Sequence, residues 1–117
     1  MIPLETCKFE DSSYTDGDMN WTAPSLYAAA KKQGCRKFKL PLDHLDLTWR
    51  RWKDLRVIDM AYFYQRIRRT NLNHPILLGP CGNILDGAHR IVRAIAEGKN
   101  YVWAVRLRDM PVEDGKA

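Results

Sequence analysis

Asp86-Gly87-Ala88-His89-Arg90 is the stretch whose residue types and spacing point most clearly to chemistry. A short apolar run, Ile84-Leu85, gives way there to helical periodicity, so the five residues read as a helix start. The first backbone N–H groups of a helix have no partner within it, and the helix dipole adds partial positive charge. Such a start attracts phosphate. Gly87 lets an anion approach the backbone, and Arg90 can place two donors on phosphate oxygens. His89 can donate a hydrogen bond or move a proton near neutral pH. Asp86 is expected as the helix N-cap, and as base or metal ligand if a phosphoryl group is transferred. Cations in a first turn oppose the dipole by roughly 0.3–1 kcal/mol, a penalty that a bound anion reverses. The alternative is purely structural, with Asp86 capping the helix and neutralising its basic neighbours.

Other reactive groups are sparse. Cys7, Cys35 and Cys81 are odd in number and form no Cys-x-x-Cys pair, which argues against a disulfide framework or zinc site and fits a reducing cytoplasm. Cys81 reads as a small turn residue. His44 lies between Asp43 and Asp46, but these read as a cap and surface residues, so no metal site is expected.

The net charge of +5 is uneven. Residues 1–35 carry five acids against three lysines, whereas residues 36–69 carry ten Lys/Arg against four Asp. Arg50, Arg51, Arg66, Arg68 and Arg69 lie in that block, which could contact DNA phosphates or an acidic protein. The alternative is a solvated helix surface rich in arginine. A signal peptide and a membrane span are not expected, because no basic start precedes an apolar run and no apolar stretch approaches about 20 residues. A cytoplasmic location follows as the expectation.

Several elements must position these groups. Residues 1–21 read as a polar, acidic arm. Thr22 caps a helix with Pro24 in its first turn and Gly34 at its end. Residues 36–40 alternate as a strand stopped by Pro41, with Phe38 and Leu40 on one face. Leu42, Leu45, Trp49 and Trp52 recur at helical spacing, with Asp43 as cap. A helix over 57–69 should bury Val57, Met60, Ala61, Tyr64 and Ile67. Ile76-Leu77-Leu78 and Ile84-Leu85 suggest a hairpin around Gly79-Pro80-Cys81-Gly82-Asn83. Ala88, Ile91, Val92 and Ile95 should then face the core, packed with Tyr64, Ile67 and Leu85. Residues 101–107 close the sheet, with Tyr101, Trp103, Val105 and Leu107 on one side. The expected fold is α+β, a small mixed sheet flanked by helices in one domain over 22–110, with a tail at 111–117.

Residues from about Phe38 to Leu107 resemble the domain shared by the chromosome-partitioning protein ParB and sulfiredoxin. Leu40-Pro41-Leu42, His74-Pro75-Ile76-Leu77-Leu78, Asn83 through Ile91 and Glu97-Gly98-Lys99 carry the likeness. The resemblance implies a nucleotide site for ATP or CTP, with or without Mg, at Gly87, Ala88, His89 and Arg90, in a fold that serves DNA-binding proteins, proposed nucleases and a free-serine kinase. Ala88 stands where sulfiredoxin has its catalytic cysteine, so sulfinic-acid reduction is excluded on that comparison. A ParB-like domain that binds nucleotide or phosphate and acts on or with DNA is the first expectation. A non-enzymatic, protein-binding accessory module of phage or plasmid type is the second, and a small-molecule phosphotransferase is the third.

Overall fold

The computed structural model describes residues 13–48 and 54–116. Four strands build the main sheet: β3 (Phe38–Pro41), β6 (Tyr101–Arg106), β4 (Ile76–Leu78) and β5 (Ile84–Asp86), side by side in that order. The β3–β6 and β4–β5 pairs are antiparallel and β4–β6 is parallel, so the sheet is mixed.

Helices cover both sheet faces. On one face α1 (Ala23–Lys32) packs Leu26 and Ala30 with Leu77, Leu85, Val105 and Leu107. On the other, α3 (Ala88–Ala96) packs Ile91 and Ala94 with Ile76, Leu78, Val102 and Ala104. Burial on both faces explains why β4 is an unbroken apolar run with every residue buried. The alternation expected of β6 holds: Val105 and Leu107 lie under α1 on the face that continues into Trp103 and the exposed Tyr101, and the buried Val102 and Ala104 belong to the opposite face.

Helix boundaries follow local chemistry. Thr22 caps α1 by accepting from the Ser25 N–H, as its sequence suggests. Gly98, with φ of 73°, ends α3, donating to Ile95 O while Lys99 N–H reaches back to Ala94 O. Asp86, expected to cap α3, does not. It is the last residue of β5, and Gly87 occupies the cap position with φ of 118°.

Other expectations are corrected by packing. Ala88 and Ile91 are buried as expected, but Val92 and Ile95 are exposed on α3, and Ala94 faces inward instead. The helix α2 (Val57–Arg68) forms but has no fully buried residue. Val57, Met60, Ala61 and Tyr64 are exposed, and Ile67 is half-buried. The helix expected from Leu42 onward is only a single 3-10 turn, Leu42–His44, preceded by Pro41 rather than capped by Asp43. Trp49 and Trp52 lie outside the described residues.

Residues read as an arm and a tail take part in the fold. Strands β1 (Ser13–Asp16) and β2 (Met19–Thr22) pair as a hairpin, and β2 also pairs with β7 (Gly115–Lys116). Trp21 is buried in the α1-side core and donates through Nε1 to Pro111 O at 2.8 Å. Asp114 accepts from the Thr22 N–H at 2.8 Å and from Ser25 Oγ at 3.0 Å, so it reinforces the α1 start. No helix among the described residues is long and apolar enough to cross a membrane.

Candidate functional site

The turn from β5 into α3 sends its groups in three directions. Arg90 points towards α1, where its Nη2 donates to Tyr27 Oη at 2.7 Å and to Asp86 Oδ2 at 3.1 Å. Tyr27 Oη also lies 2.9 Å from Asp86 Oδ2 and 3.0 Å from Pro75 O. The Arg90 side chain is only 16% exposed, and its Nε is buried without a hydrogen-bond partner among the described residues. Burial pushes the Tyr27 phenol well above its ordinary pKa, and the nearby Asp86 carboxylate adds to that effect against the opposing pull of Arg90. Tyr27 therefore stays protonated and can accept from Arg90 while donating to one of its two acceptors.

His89 points the other way. Its ring lies 5.8 Å from the Phe63 ring on α2, at 31° between planes. Its Nε2 is buried. Arg90 and His89, expected to converge on one ligand, are thus separated: one locks the turn to α1, and the other joins α3 to α2.

The backbone faces a third way. A cleft of about 520 Å³ opens between β1, the segment 44–46, the hairpin turn at Gly82-Asn83, and the start of α3 at Gly87 and Ala88. The hydrogen-bond ladder of α3 starts with Ile91 N–H to Gly87 O, so the helix presents its N-terminal end, with its partial positive charge, at Gly87 and Ala88. Gly87 supplies no capping side chain. Its glycine identity has a structural cause as well. A Cβ there would overlap the Ile76 side chain, and the positive φ disfavours any other residue.

The cleft wall carries residues that sequence reasoning missed. Tyr14 and Thr15 come from the stretch read as an arm, and Asn83 donates from Nδ2 to Tyr14 Oη at 3.2 Å. His44 and Asp46, weighed as metal ligands, line the cleft instead. Asp46 is bound by the Thr48 hydroxyl and N–H, which hold its carboxyl below the usual range. No group of three metal-ligating side chains occurs among the described residues. Two acids thus border a helix start. Asp86 is neutralised by Arg90, whereas Asp46 keeps an exposed negative charge. Tyr27 left little signal in the sequence, since one tyrosine amid alanines reads as helix propensity.

The basic block is divided. Arg68 and Arg69 are exposed at the C-terminal end of α2. Arg66 is half-buried, with Nη1 3.5 Å from Tyr62 Oη. Arg50 and Arg51 lie outside the described residues. No family model, curated protein or solved structure matches the chain.

Proposed function

We propose that this chain binds a nucleotide or related phosphate compound in the cleft at the start of α3, and that it acts on or with DNA as a ParB-like domain. One observation carries the reading. The N-terminal end of α3, at Gly87 and Ala88, forms part of the cleft wall, and about 520 Å³ is room enough for a nucleotide-sized ligand. Phosphate oxygens would meet the N–H groups of Ala88, His89 and Arg90. The Arg90 side chain serves here as a positioning group that neutralises Asp86 and fixes the turn. If a phosphoryl group is transferred, Asp46 and Asp86 are the carboxylates on the wall from which a base or a magnesium ligand would come.

Thermal unfolding with ATP, CTP and inorganic phosphate, with and without magnesium, tests the reading. At least one should raise Tm, and Asn83→Asp, which adds a negative charge to the wall, should weaken that ligand about tenfold or more. Absence of any shift at millimolar ligand rejects the cleft as a phosphate site.

A second reading is favoured by one feature of α2. Its exposed stripe of Val57, Met60, Ala61 and Tyr64 runs beside Arg68 and Arg69, a combination suited to an acidic protein partner with an apolar contact surface.

A further inference from the structure

The sheet face that carries α1 is only partly covered. Val105 and Leu107 lie beneath the helix, but the same face continues into Trp103 and Tyr101, where no described helix covers it. Tyr101 is 38% exposed and Trp103 is half-buried. Their ring centroids are 5.7 Å apart, edge to face. On the adjacent β3, Lys39 pairs with Trp103 in register, and Lys39 and Lys37, the residue just before the strand, project over the two aromatic rings. Lys37 Nζ is 4.5 Å from the Trp103 centroid, and Lys39 Nζ is 4.8 Å from that of Tyr101. Neither lysine forms a salt bridge with a carboxylate among the described residues. The exposed Lys99 lies two residues before Tyr101.

We propose that this open half-face is a stacking platform for single-stranded nucleic acid, with bases on Tyr101 and Trp103 and phosphates on Lys37 and Lys39. Charge complementarity selects a polyanion, because the patch presents uncompensated ammonium groups. The rings select unpaired bases, since a duplex keeps its base faces stacked and an acidic peptide has none. In the free protein each ammonium rests against a ring and Lys37 Nζ also donates to Asn73 O at 2.7 Å; a phosphate draws each ammonium aside, replacing that bond, and a base takes its place on the ring face. None of these residues lines the cleft at α3 or belongs to α2, so the proposal does not rest on either.

Fluorescence anisotropy of labelled 12-mers of dT and rU, titrated with the full chain at low salt, tests it. Binding to either supports the platform, and the two arms show whether DNA or RNA is preferred. Tyr101→Leu should weaken binding by roughly five- to a hundredfold, whereas Tyr101→Phe keeps a ring and should bind nearly as well as the parent. Lys37→Gln with Lys39→Gln should flatten the log–log salt slope by about 1.4, the value for two single-strand phosphate contacts. Arg68→Gln with Arg69→Gln should leave this affinity within about twofold, which separates the platform from duplex binding by α2. Thermal melts confirm that each variant is folded. The proposal is overturned by absence of binding to both oligomers, by a Tyr101→Leu protein that binds like the parent, or by equal competition from duplex DNA or polyglutamate.

Discussion

Arg90 stands where four-residue spacing from Asp86 makes an ion pair, and a distant tyrosine turns that pair into a junction. One guanidinium nitrogen joins a carboxylate and a phenol that lie 59 residues apart in sequence. Arg90→Met should leave the half-buried Asp86 charge without its partner and destabilise the fold by roughly 2–3 kcal/mol in urea unfolding. A loss under about 0.5 kcal/mol would show that the junction contributes nothing measurable. Gly87 is constrained twice, by φ of 118° and by the Ile76 side chain. Gly87→Ala should therefore cost about 2–5 kcal/mol, and a near-neutral change in melting would contradict the geometry. At this scale the sequence marks the helix start and the charged pair. It does not show where the side chains point, because Tyr27 and Phe63 decide that through contacts far apart in sequence.

Among the elements, α3 shows most clearly how periodicity misleads. Ala88, Ile91, Val92 and Ile95 make a regular apolar stripe, yet the helix rolls so that Ala94 meets the sheet. Alanines allow close approach to Ile76, Val102 and Ala104, and that close packing outweighs the burial of two larger residues. Ile91→Ala should cost roughly 2–5 kcal/mol, whereas Ile95→Ala, at a site 46% exposed, should cost under about 1 kcal/mol. Equal losses in denaturant titrations would mean that the face is wrongly assigned. Strand β4 was legible because a short all-apolar run can be satisfied by cover on both faces. For α2 the stripe was legible, but periodicity alone does not say what a stripe packs against. Its C-terminal arginines offer a separate test of duplex binding. Arg68→Gln with Arg69→Gln should reduce the log–log salt slope for duplex DNA by up to about 1.8, and an unchanged slope would remove α2 from any DNA surface.

Across the molecule, the hairpin, the start of α1 and the segment 111–116 are fastened together around Asp114. Its carboxyl is held below the usual range chiefly by the Thr22 N–H, then by the Ser25 hydroxyl. A carboxyl depressed in the folded state stabilises it above the unfolded pKa, and that contribution disappears as pH falls through the folded value. Acidification below about pH 4 should therefore loosen this corner, seen as faster exchange of the Thr22 amide hydrogen. Asp114→Asn should remove most of that pH dependence. If exchange in the parent does not change with acid, the fastening is too weak to matter. None of this long-range closure could be read from a polar arm and a polar tail, since the contacts that join them lie about ninety residues apart in sequence.

The fastening also gives the protein a direction in time. Trp21 and Thr22 emerge early from the ribosome, but their partners Pro111 and Asp114 lie 90 and 92 residues downstream. Until those partners are synthesised, the second strand of the hairpin lacks one neighbour and the tryptophan lacks its acceptor. A chain that has made only its hairpin and α1 exposes that incomplete edge, where chaperones or proteases have access. The order of this early hairpin edge thus waits on residues made about ninety positions later.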